Sequence, residues 1–156
     1  MDQFQVDNPP SKTQGILFLD NFLCMGVHKS VYNSTFLKNN QVTHIVNLSG
    51  DSIHNIYDPM LSQTKQVRQI VSEVGPEALE LQGKVKFFTV KRWKDEYKVP
   101  LLDEMATVVD IIQFIEEACD NFKSCLIVSM DNKCKTVVIA TVYLMYKYKW
   151  SLKTTF

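Results

Sequence analysis

The residues of this chain best suited to chemistry lie close together: Ser129, Lys133, Cys134, Lys135 and Thr136, between an apolar run and a long apolar helical pattern. A thiol beside a lysine at a helix N-terminus sits in an environment that lowers its pKa and turns it into a nucleophile. The same junction aims backbone N–H groups and the positive end of a helix dipole at one point, which is how a fold builds an anion site. Phosphate chemistry is therefore the first class to weigh. The residues between work against it: Met130 is a thioether that neither ionises nor attacks phosphorus, and in Met130-Asp131-Asn132 the Asp sets a negative charge where an anion would sit. Ser129 has no His or Lys at a base-like spacing, so hydrogen bonding within the loop is its expected role. No Arg follows Cys134 to add the guanidinium fork suited to a phosphate, which favours a structural thiol.

These residues need elements to position them. The run from Gly15 to Gly26 predicts one or two short strands, and Ser30 to Asn40 a short helix with Ser34 as its N-cap and Asn39 or Asn40 as its stop. Thr43 to Gly50 is an apolar run bounded by turn residues and predicts a buried strand. A surface helix is expected over Asp58 to Gly75 and a strand over Val85 to Val90. From Pro100 to Phe122, Leu101, Leu102, Met105, Val108, Val109, Ile112 and Ile115 fall on one stripe, giving a long amphipathic helix with Pro100 in its first turn. Cys125 to Met130 is a second buried strand, and Thr136 to Lys149 a helix apolar almost all round. Strands apolar on both faces, alternating with helices, predict an α/β fold with a mainly parallel sheet, and ligands of such sheets sit beyond the carboxyl ends of the strands. The segment from Ser129 to Lys135 lies at one such end.

A chain of 156 residues with 46% hydrophobic content supports one core. Seventeen basic residues balance seventeen acidic ones, so net charge gives no steering toward nucleic acid or a membrane surface. Fifteen of the basic residues are Lys, and only Arg68 and Arg92 carry the guanidinium fork suited to bidentate phosphate recognition. Cys24, Cys119, Cys125 and Cys134 show no CxxC pairing and fall inside predicted elements, which predicts free thiols rather than disulfides or zinc ligands. His28, His44 and His54 are scattered without ligand spacing, so neither a metal nor a cofactor is expected. The N-terminus has no leader pattern and no run approaches the ~20 apolar residues of a membrane span, predicting a cytoplasmic protein. Trp93 and Trp150, with Tyr97, Tyr146 and Tyr148, read either as a recognition surface or as core, the second being the commoner outcome for aromatics at helical spacing.

The order of elements resembles a family. The run from Gly15 to Gly50, with its Leu37-Lys38 turn and Thr43-His44-Ile45-Val46-Asn47 strand, resembles the opening of dual-specificity protein phosphatase domains. Phe114 to Met130 resembles that family's passage from its penultimate helix into the catalytic strand, and Val137 to Leu152 the helix after the catalytic loop. The resemblance implies a protein tyrosine phosphatase-like three-layer domain with a central mainly parallel sheet over residues 14–156, behind a flexible arm of residues 1–13. It is weakest between Asp51 and Gly83. In active members a His-Cys pair opens a Cys-x5-Arg loop followed by Ser or Thr. By that pattern Ser129 takes the His position, Met130 the nucleophile position, Lys135 the Arg position and Thr136 the hydroxyl, with the loop one residue short. Asp131, Asn132, Lys133 and Cys134 fill the rest of a degenerate phosphate loop, and Asp95 is the candidate remnant of the general acid. Lysine keeps the charge of the replaced arginine but not its planar clamp.

The resemblance implies a catalytically inactive phosphatase-like domain, a pseudophosphatase, acting as a protein-interaction or structural module in an intracellular assembly. The alternatives are a phospho-residue reader holding its ligand at Lys133, Lys135 and the following helix, and an active phosphatase using Cys134 with Asp95. The family continues past the Trp150-Ser151-Leu152 turn into another helix, whereas this sequence ends at Phe156, which predicts a protein partner over the C-terminal side. Cytoskeletal or ciliary frameworks enter only by analogy with other inactive enzyme domains.

Overall fold

The computed structural model describes residues 16–60, 64–90, 102–130 and 133–149. Strands β1 (Leu17–Asp20) and β2 (Leu23–Val27) form an antiparallel pair at one edge. Strands β3 (Val42–Asn47), β4 (Lys86–Thr89) and β5 (Ser124–Ser129) join β2 in parallel register, giving one sheet in the order β1-β2-β5-β3-β4. Parallel neighbours need long crossovers, which the helices supply. The α/β class and the central, mainly parallel sheet expected from the sequence are both present.

Two cores flank the sheet, and β5 feeds both. Leu126 and Val128 pack on the side of helices α1 (Ser34–Asn39), α2 (Lys65–Val74) and α3 (Glu77–Glu80), with Val31, Phe36, Leu37, Ile56 and Tyr57. Cys125 and Ile127 pack on the opposite side, under α4 (Leu102–Asp120) and α5 (Lys133–Tyr148), with Ile111, Ile115, Ile139, Ala140 and Tyr143. Side chains of one strand alternate between faces, so covering both faces buries all six residues of β5. Each fully buried aliphatic side chain contributes about 1.5–3 kcal/mol relative to exposure.

Several boundaries differ from expectation. Asn33, not Ser34, caps α1: its Oδ1 accepts the Phe36 N–H at 3.1 Å, while Ser34 Oγ lies 3.3 Å from the Tyr57 hydroxyl in the core. The helix expected over Asp58 to Gly75 begins only at Lys65, where Thr64 Oγ1 accepts the Val67 N–H at 3.3 Å. Asp58 instead closes a turn by accepting the Met60 N–H at 2.9 Å. Gly75, at φ +101°, ends α2, a backbone angle natural to glycine. The unpredicted α3 follows, tied to α1 by Thr35 Oγ1 donating to Glu77 at 2.6 Å and by a 2.9 Å Lys38–Glu80 ion pair. The predicted strand from Thr43 to Gly50 stops at Asn47, whose side chain turns the chain. Helix α5 begins at Lys133 rather than Thr136, because Lys133-Cys134-Lys135 contains no breaker and lysine is a good helix former. Pro100 lies outside the described residues. Among the described residues no helix is long and apolar enough to cross a membrane.

Candidate functional site

The carboxyl ends of β2, β5 and β3 meet in register: Val27 pairs with Ser129 and Asn47 with Val128. The Leu48 N–H extends the ladder, donating to the Val128 carbonyl at 3.0 Å. Beyond it, fully buried Asn47 organises the exit of β3. Its Nδ2 donates to the carbonyls of Gly50 at 3.0 Å and Ile53 at 3.3 Å, and its Oδ1 accepts the Ser49 N–H at 2.9 Å. Ser49, so held, presents its Oγ to the Met130 N–H at 2.7 Å. The exits of β3 and β5 are thereby fastened together at the start of the predicted loop.

Ser129 is buried at the end of β5, and Met130 turns outward, 42% exposed. Only residues 130–132 separate β5 from α5. The predicted loop residues Lys133, Cys134, Lys135 and Thr136 therefore belong to the first turn or so of α5, a correction to their placement as loop. Thr136 is buried there. That turn carries two lysines and no acidic residue, against the usual preference of a helix N-terminus for negative charge. Asp131, Asn132 and Asp95 lie outside the described residues, as do Trp93, Tyr97 and Trp150. The other two aromatics of that group, Tyr146 and Tyr148, are exposed, so the core reading fails for them.

Three thiols can be assessed, and all are free. Cys24 and Cys125 are fully buried mid-sheet; burial pushes the Cys24 thiol up to about 12 and raises Cys125 well above the ordinary range. Both stay protonated at neutral pH and have no nucleophilic form to offer. Cys119, on α4, lies 3.5 Å from the Tyr143 hydroxyl, which itself donates to Glu116 Oε1 at 2.9 Å.

Sequence reasoning missed three residues around the exit. Asn47 and Ser49 were visible as an Asn-x-Ser-Gly strand end, a turn-forming pattern whose partners no spacing reveals. His28 follows Val27 directly, one strand over from Met130, and its Nδ1 is buried without a hydrogen-bond partner. His44, by contrast, works at the other end of the strands. Its Nε2 lies 2.5 Å from Glu117 Oε2 and its Nδ1 2.8 Å from Thr43 Oγ1, while Lys86 Nζ donates to the same Glu117 oxygen at 3.1 Å. Hydrogen bonds from His44 and Lys86 hold the Glu117 carboxyl below its usual range. A bulge between Val42 and His44 accompanies the turning of Thr43 toward its neighbour. This cluster fastens α4 to the sheet and lies away from the exit.

With five strands in this order and helices on both faces, the fold is that of dual-specificity phosphatase-like domains. Human DUSP28 is 19% identical to this chain over 90% of its length and 76% of the DUSP28 chain, with a TM-score of 0.63. A single-residue variant of human DUSP28 superposes with a TM-score of 0.62 at 18% identity, over the same shares of both chains. Tk-PTP in the active form is 15% identical, covering 91% of this chain and 80% of its own, with a TM-score of 0.55. No family model matches the chain, and no curated protein does.

Proposed function

We propose that this chain is a phosphatase-like domain that does not hydrolyse phosphate esters and serves as a protein-interaction module in an intracellular assembly. The observation that carries this reading is the exit of β5: buried Ser129, exposed Met130, and three residues before the helix. By the family pattern the attacking thiolate belongs where this chain has a thioether, and the phosphate-clamping guanidinium where it has Lys135. Buried Cys24 and Cys125 offer no substitute, since both thiols are held protonated. Cys134 falls within α5 and is followed in sequence by Lys135 and Thr136 rather than by an arginine.

A second reading, a phospho-residue reader, draws support from the first turn of α5, where two lysines and no acid accompany the positive end of a sixteen-residue helix. Turnover of a generic aryl phosphate by the purified chain separates these readings from an enzyme. The expected rate equals the uncatalysed one; turnover that vanishes in Cys134→Ser would sink the proposal. Salt-sensitive phosphopeptide binding without turnover, weakened in Lys135→Ala, would select the reader over the scaffold.

A further inference from the structure

Helices α4 and α5 lie side by side on one face, joined by Tyr143 to Glu116 and Cys119. Helix α4 carries the chain from the carboxyl end of β4 to the amino end of β5, and α5 leaves from the carboxyl end of β5. The strands are parallel, so both helices run against them and parallel to each other. Their charges are segregated. The α4 sequence holds Asp103, Glu104, Asp110, Glu116, Glu117 and Asp120 and no basic residue, whereas α5 with Lys149 holds four lysines and no acid.

Val109, Gln113, Glu116 and Asp120 recur on α4 at i, i+4, i+7 and i+11, and Val138, Val142 and Met145 share the first three of those spacings on α5, which Lys149 follows at φ +57°. Val109 is 50% exposed and Val138 47% exposed, and neighbouring Tyr146 is half exposed with Lys149 Nζ 5.3 Å from its ring centroid. Asp120 is exposed and, among the described residues, makes no hydrogen bond or ion pair. An exposed acid thus closes α4 and an exposed base follows α5, each below a half-exposed valine.

We infer that this face binds a second copy of the chain, about a two-fold axis parallel to the helices, with α4 of each copy against α5 of the other. Such an axis preserves height along the helices and sets the acidic α4 of each copy against the lysine-bearing α5 of the other, with Asp120 at the same end of the face as the partner's Lys149. A perpendicular axis would set α4 against α4, one acidic helix on another, which like charges disfavour. The contact is isologous and closes at two copies. It rests on the reading of the chain as an interaction module and names its partner.

Sedimentation equilibrium of the full chain tests it. The expected species is a dimer at low salt that loosens at roughly 0.5 M salt, as screened charge pairs do. Asp120→Lys alone and Lys149→Glu alone should each weaken dimerisation by roughly tenfold or more, since each turns two attractions into two repulsions. An equimolar mixture of the two variants should recover association, because every contact then pairs opposite charges again. The doubly substituted chain should recover it too. Both sites are exposed, and an unchanged circular dichroism spectrum of each variant establishes that the fold is kept. A monomer at every concentration, a species larger than a dimer, or no recovery on mixing would overturn the inference. A monomer without phosphatase activity would remove the dimer and leave the proposed function standing; a dimer that turns over phosphate would do the reverse.

Discussion

Single residues in this protein show where local chemistry is settled by neighbours the sequence does not name. Gln41, Phe122 and Lys149 each follow a helix at positive φ, the place where glycine usually stands. Gln41 is exposed at φ +55°, and its bonds run through the backbone: its N–H donates to the Lys38 carbonyl at 3.3 Å and its carbonyl accepts the Ser124 N–H at 2.9 Å. Gln41→Gly should therefore stabilise the chain by about 0.5–1 kcal/mol, read as a rise in the denaturation midpoint. Glu117 makes a pH prediction. Hydrogen bonds from His44 and Lys86 lower its folded pKa, so its stabilisation is present above the unfolded value near 4.5 and is lost as pH falls through the lower folded value. Glu117→Gln should flatten the stability profile in that acid window, by about 0.5 kcal/mol for so exposed a pair; an unchanged acid limb would show the pair to be idle. His44 lay in plain view as part of a family-like strand, yet nothing in its spacing revealed Glu117, seventy-three residues away.

At the scale of elements, periodicity was a good guide wherever one face of an element is buried and a poor one where it is not. The all-apolar β5 is legible because packing on both sides of the sheet demands that pattern, whereas the stripe expected on α4 holds only in part: Ile115 is buried, but Val109 is half exposed and Ile111, outside the stripe, is fully buried. The α2 segment was overextended, since of its residues only Val67 is fully buried and Thr64 rather than periodicity sets its start. The first turn of α5 carries the polar run Lys133-Cys134-Lys135, which lacks the apolar pattern of the rest of the helix, so hydrophobic periodicity gives no sign of it. The exit of β3 depends on one side chain with three hydrogen bonds, so Asn47→Ala should cost about 2–4 kcal/mol, leaving buried groups unpaired. Urea denaturation measures this, and a loss below about 1 kcal/mol would mean that the β3–β5 exit is held by other contacts.

For the whole molecule, β5 is the central strand, buried at all six positions between two cores to which β2 and β3 also contribute. Ile127→Ala opens space at a fully buried position between β5 and the α4–α5 layer and should cost about 2–5 kcal/mol by thermal or chemical denaturation. The class of fold was readable from the alternation of buried strands and helices, while the joining of the β3 and β5 exits through Ser49 and Met130 was not, because tertiary hydrogen bonds leave no periodic trace. On the proposed function, this phosphatase-like frame performs no phosphoryl transfer. The most direct measurement is a single-turnover reaction of stoichiometric chain with a labelled phosphotyrosyl peptide, quenched in acid and assayed for protein-bound label and released phosphate. The account predicts neither above the protein-free blank; a covalent phosphoprotein that disappears in Cys134→Ser would contradict it.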